Sequence, residues 1–176
     1  IIIAVFTSQC STEKNTTIHR GFHNLHAKYN GYFNANEIIK ETYNEFLNFR
    51  KENYNSILPV FPTPNQVESK SWYAPMDTAY RKCELVIYKH RMPHAKKGRN
   101  RNKEWCKYID DNWMTMGITR YFKKDFPKAL KFFQYVENHY KIEDNFYRSI
   151  FWQAKVLIEM KSYDEAEAIL LNILAK

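Results

Sequence analysis

At 176 residues, with 44% hydrophobic and 16% aromatic side chains, the chain suits one globular domain or a short solenoid and is too apolar for disorder. Four glycines and six prolines are too few for the many tight turns of a sandwich or barrel, and large flat side chains suit helix-on-helix packing. The net charge of +8 would suggest a nucleic-acid face, but seven of the 27 basic residues lie between Lys89 and Lys103, a stretch without acids, and the remainder nearly balances the 19 acidic residues.

The apolar run Ile1 to Phe6 is far too short to cross a membrane. It reads as the end of a signal-peptide core, which makes residues 1–9 a leader remnant. Cys10 follows, and then the polar residues Ser11 to Asn15, the order of a bacterial lipoprotein cleavage site. Gln9 stands where a small residue is usual and Thr7 where Leu is usual. In this reading Cys10 carries the acyl lipid and residues 10–17 form a tether. The other reading is a buried N-terminal strand with an incidental cysteine.

Thr16 or Thr17 can cap a first helix, whose apolar residues Ile18, Phe22, Leu25, Tyr29 and Phe33 recur at steps of three and four. Asn34-Ala35-Asn36-Glu37 predicts a break and restart. A second helix then runs to about Lys51, with Ile38, Ile39, Tyr43, Phe46, Leu47 and Phe49 on its inner side. So short a connection predicts an antiparallel hairpin over 18–57. Pro59, Pro62 and Pro64 then make 58–73 an extended connector, with Leu58, Val60 and Phe61 available to lie across the helices. Residues 74–103 hold a third helix and a basic loop, and further helices are predicted at about 104–123, 126–140, 144–160 and 163–175.

Trp113, Met116, Gly117, Phe126, Ala129, Phe133 and Val136 meet the spacings of a tetratricopeptide hairpin. Gly117 and Ala129 would sit where the two helices cross, since larger side chains would push them apart. Ala154, Tyr163, Ala166, Leu170 and Ile173 repeat the pattern 37 residues later. The predicted fold class is therefore all-α, antiparallel hairpins forming an α-solenoid, with two repeats over 104–176 that continue beyond it or are covered by a partner.

For catalysis the residues offer nothing, with no phosphate loop and no GxSxG, and the chain is expected not to be an enzyme. Asp110–Asp111 and Glu165–Glu167 read as solvated surface charge. Cys83 and Cys106 fall on apolar stripes and read as core thiols, a disulfide between them staying open. His19, His23 and His26 share one helix face without another ligand type, and no metal site or other cofactor is expected. The basic loop (Arg91, Lys96, Lys97, Arg99, Arg101 and Lys103) lacks aromatics between its charges for base stacking. It suits anionic headgroups or a carboxylate-rich partner, or is a solvated loop. The partner-binding surface expected on the inner face of the repeats is Met114, Ile118, Tyr121, Phe122, Phe151, Lys155 and Ile158. Its apolar character suits an internal segment or a protein helix, unless the N-terminal helices cover it.

HNLHAKYNGYFNANEIIKE, NSILPVFPTP, APMDTAYRKCELVIYKH and MGITRYFKKDFPKALKFFQYV occur in an order similar to that of PorW/SprE-type proteins. These are tetratricopeptide outer-membrane lipoproteins of the Bacteroidota type IX secretion and gliding machinery. The resemblance covers nearly all of the chain from Cys10 onwards. It implies a lipid anchor at Cys10 on the periplasmic face of the outer membrane. It also implies a scaffold joining the Sov/SprA-type translocon barrel to the periplasmic PorN/GldN-type ring, without nucleic acid. The alternative from the residues is a cytoplasmic helical-repeat adaptor that binds RNA or another polyanion through the basic loop.

Overall fold

The computed structural model describes residues 11–93, 104–141 and 144–174. Those residues form no strand; the one extended pairing is an isolated bridge between Pro93 and Glu104. In chain order the helices are α1 (Thr17–His26), a π-helical segment (Ala27–Phe33), α2 (Asn34–Phe49), a 3-10 turn (Glu68–Trp72), α3 (Tyr73–His90), α4 (Ile109–Phe122), α5 (Phe126–His139), α6 (Asn145–Glu159) and α7 (Tyr163–Leu174).

The hairpin expected over 18–57 does not form. Ala27 and Asn34 are both right-handed helical (φ/ψ −64°/−38° and −63°/−34°), so α1, the π segment and α2 are one unbroken helix over 17–49. At 1.5 Å per residue it extends for about 50 Å. The Asn residues that signal a break are used inside the helix: Asn36 Nδ2 donates to the Tyr32 carbonyl at 2.8 Å. The hairpin partner of this long helix is α3. His23 lies beside His90 at one end of the pair, and Tyr43 and Phe46 lie beside Trp72 at the other, so the two run antiparallel.

The π segment has a geometric purpose. Residues spaced by four drift round a 3.6-residue helix, whereas a π turn takes in more residues and cancels that drift. His23, Ala27, Gly31, Ala35 and Ile39 are thereby all buried along one side. Small residues on that line let the helix approach closely. A β-carbon on Gly31 would strike the side chain of Asn112, and Asn112 Nδ2 donates to the Ala27 carbonyl at 3.1 Å. Consequently the bulky stripe Ile18, Phe22, Leu25, Tyr29 and Phe33 faces outward, and Leu47 and Phe49, expected inside, are also exposed. Leu58, Val60 and Phe61 do not lie buried across the helices; it is Pro64 that is buried.

Six helices (17–49 and α3 to α7) each pack against the next, and the 17–49 helix, α4 and α6 also touch in succession. This arrangement is consistent with a helical solenoid. An aromatic chain runs through it: Trp72 to Phe122 (4.9 Å), Tyr121 to Trp152 (5.3 Å) and Trp152 to Phe133 (5.6 Å). Burying a side chain the size of fully enclosed Phe133 or Met76 stabilises by about 1.5–3 kcal/mol.

Residues expected to open α4 form a neck instead. Trp105 N–H donates to the Met92 carbonyl at 2.9 Å, and Arg91 Nε donates to Glu104 at 3.2 Å. Asp110 and Asp111 are likewise not free surface charge. Asn145, at the start of α6, donates to both at 2.7 and 3.0 Å, tying together the first turns of α4 and α6. Burial raises the Asp111 pKa, and the Asn145 hydrogen bond and Arg148 oppose the rise. Glu165 and Glu167 are exposed as expected.

Candidate partner-binding groove

The two hairpins α4–α5 and α6–α7 are closed in the same way, 37 residues apart. Lys124 (φ 60°) and Lys161 (φ 63°) take the left-handed conformation after the first helix of each pair. Asp125 N–H donates to Arg120 O and Ser162 N–H to Leu157 O, both at 2.9 Å. Lys124 N–H reaches Tyr121 O at 2.9 Å and Lys161 N–H reaches Ile158 O at 3.0 Å, which completes the motif twice. Ala129 and Ala166 N–H groups then donate to Asp125 O and Ser162 O at 3.0 and 3.1 Å.

Inside the hairpins, Gly117, Ala129, Ala154 and Ala166 fall at contacts between paired helices. Gly117 faces the ring of Phe133, and Ala154 and Ala166 share a small cluster with Leu157 against which Leu170 packs. Trp113 rests on Tyr135 (4.6 Å between rings) and Phe126 packs on Tyr121 (5.8 Å), whereas Tyr163 is mostly exposed.

Of the residues expected to line the inner surface, Met114 and Tyr121 are buried, and Ile118 and Phe122, though nearly fully buried, reach the wall of a groove beside the long helix. Phe122 is enclosed by Tyr43 of the long helix, Trp72 of the 3-10 turn and Trp152 of α6. Phe151 and Ile158 are about half exposed, and Lys155 lies between these extremes.

A groove of about 520 Å³ remains between the long helix, the connector and α6. Ile39, Tyr43, Phe61, Pro62 and Trp152 are among its apolar lining, and Asn36, Glu37, Lys40 and Lys155 are among its polar members. The connector is latched in place. Tyr43 donates to the Pro62 carbonyl at 3.1 Å, and Thr63 donates to Glu159 at 3.3 Å. Glu159 also accepts from the Tyr121 hydroxyl at 3.0 Å and pairs with Lys124 at 3.5 Å. Burial and this carboxylate push the Tyr121 phenol pKa up, so it stays a donor.

Lys155 is the chemically distinctive group of the groove. Its ammonium sits 4.2 Å from the Trp152 ring centroid and 5.0 Å from that of Phe61. Burial lowers its pKa against the pull of Glu159, which is already engaged elsewhere. The arrangement can take an apolar side chain against Phe61 and Trp152 and a carboxylate against Lys155. Periodicity groups Lys155 with the inner-face residues, and Phe61 is expected to lie across the helices; the sequence does not bring Trp152 and Tyr43 to them, because that meeting depends on how the connector folds back.

A second polar feature is the histidine cluster at the far end of the long helix. His23 and His90 Nδ1 atoms are 2.9 Å apart, and the His26 and His90 rings stack at 4.9 Å. Cys106 donates from Sγ to the His23 carbonyl at 3.5 Å. Cys83 and Cys106 are both free and buried, and burial raises both thiol pKa values, that of Cys106 to about 12. Neither is therefore poised as a nucleophile.

The expected lipidation site Cys10 and the basic residues Lys96, Lys97, Arg99, Arg101 and Lys103 lie outside the described residues. Arg91 is described, paired with Glu104 at the neck. In comparisons with known proteins, no family model matches the chain and no curated protein is significantly similar to it.

Proposed function

We propose that this chain is a non-enzymatic, protein-binding scaffold built on tetratricopeptide-type repeats. We further propose that it is the lipid-anchored outer-membrane component joining the type IX translocon barrel to the periplasmic ring. The observation that carries the scaffold reading is the 37-residue recurrence of a whole hairpin turn, from the left-handed Lys124 and Lys161 to the hydrogen bonds around them. The groove beside Lys155 supports a binding role: its aromatic wall around the half-buried Lys155, with Lys40 already paired to Glu37 at the rim, suits a polypeptide segment with an apolar residue next to a carboxylate. The cellular address rests on the order of the N-terminal helix, proline segment and repeats, and on Cys10 followed by a polar tether.

The test is photo-cross-linking from Phe151 in the native membrane, with captured proteins identified by mass spectrometry. The barrel and ring components are the expected partners; recovery of ribosomal or chaperone proteins in their place would overturn the reading. Separately, labelling with an alkyne fatty acid should be abolished by Cys10→Ser.

A further inference from the structure

We propose that the outward face of the 17–49 helix is a docking surface for a bilayer carrying anionic headgroups, a non-covalent contact separate from any acyl group. Ile18, Phe22, Leu25, Tyr29 and Phe33 lie on one line and range from 38% exposed at Phe22 to 79% at Ile18. The line extends for about 22 Å along the helix. An apolar stripe of this length, with the opposite side packed on protein, presents a surface that headgroup and acyl regions can accept together.

The charges around the stripe identify the occupant. Between Glu13 and Glu37 the sequence has no acidic residue, and Lys14, just ahead of the helix, and Lys28 lie on its exposed side beside the stripe. Lys28 lies near Tyr29 and Tyr108, which keeps its cation beside the stripe, whereas Arg20 turns to the packed side, over the Trp105 ring at 3.8 Å. Pro93 and Glu104, which flank the basic stretch 94–103 in the sequence, meet at this same end. His90 packs on Phe22 at 5.9 Å, and the Pro93–Glu104 bridge closes the neck one turn of chain later. Glu104, the acid of the neck, is held by Arg91 and the Met92 N–H and does not neutralise the surface.

A second copy of the chain would bring two such basic ends together, which like-charge repulsion opposes. A protein partner would need carboxylates in register with each cation. An anionic bilayer supplies negative charge at high density in any register.

The experiment uses the full chain carrying Cys10→Ser, so that acylation cannot contribute, and measures co-sedimentation with vesicles of phosphatidylcholine alone or with roughly one third phosphatidylglycerol. The chain should bind the mixed vesicles at least about tenfold better than the neutral ones, and added salt should weaken the binding. Leu25→Glu and, independently, Tyr29→Glu should each lower binding by about tenfold or more without changing the melting temperature, because both side chains point away from the core. Absence of vesicle binding, or binding that survives both substitutions, overturns the proposal. So does a concentration-dependent dimer, measured by light scattering, that Leu25→Glu abolishes. The acyl-anchor reading is judged by fatty-acid labelling at Cys10 and stands or falls apart from this result.

Discussion

Phe133 lies so close to Gly117 that a methyl group added to that glycine would sit 2.5 Å from the ring. In the hairpin 37 residues on, the equivalent positions are Ala154 and Leu170. The smaller backbone residue thus accompanies the larger side chain, and the two positions are coupled in volume. Gly117→Ala should destabilise by about 2–3 kcal/mol, because fully buried Phe133 has no room to retreat. Phe133→Leu alone should also destabilise through the space it leaves, by about 1 kcal/mol. The double variant should lose less than the sum of the two, measured by urea unfolding. Additive losses would separate the two positions.

How much of this was legible beforehand depended on which question was asked of each residue. From Ala74 onwards, proline, asparagine and the apolar period agree, and α3, α5, α6 and α7 fall near their expected bounds. The small positions Gly117, Ala129, Ala154 and Ala166 were legible because close helix approach demands them. The N-terminal hairpin misled because Asn34 and Asn36 carry the same signature whether they end a helix or, as Asn36 does, bond back within it. Periodicity reported a two-sided first helix without saying which side packs. The inward side is the small-residue line with His23, and its bulk is supplied by α3 and α4. Asp110 and Asp111 were misread because their partner, Asn145, is 34 residues or more away in sequence.

Asn112 is the pin that holds the π segment against α4. Its amide reaches the Ala27 carbonyl at 3.1 Å and its own Tyr108 carbonyl at 2.5 Å, in a fully buried setting. Asn112→Ala leaves the Ala27 carbonyl without that donor, for a loss of about 1–3 kcal/mol. Hydrogen exchange should accelerate around residues 24–33 more than in α6. Uniform acceleration across the chain would mean that the contact serves general packing alone.

Lys161 occupies a left-handed position (φ 63°) and is exposed, with its side chain in no ion pair among the described residues. Glycine adopts that conformation without the penalty of a β-carbon. Lys161→Gly should therefore stabilise by about 0.5–1 kcal/mol, a rise of roughly 2 °C in Tm for a chain of this size. Lys124→Gly should do less or reverse the sign, since Lys124 also pairs with Glu159 at 3.5 Å. Equal gains at both sites would show that the Lys124–Glu159 pair contributes nothing.

The histidine cluster makes stability fall on the acid side of neutrality. Burial lowers the His90 pKa from 6.5 to about 4, with His23 and His26 from α1 and Lys89 from its own helix adding repulsion. Near neutral pH the imidazole is uncharged in the folded and unfolded chain alike. Between 6.5 and about 4 the unfolded chain takes up a proton that the folded chain refuses, so folding weakens as pH falls through that window. The slope from this group is at most about 1.4 kcal/mol per pH unit. Because His90 stacks on His26 and touches His23, the loss should appear first as release of α1 from the end of α3. A His90→Phe variant keeps an aromatic ring in the stack and removes this titration, so its Tm should change less between pH 7 and pH 5 than that of the parent chain. Parallel pH profiles for the two would remove His90 as the source of the acid sensitivity.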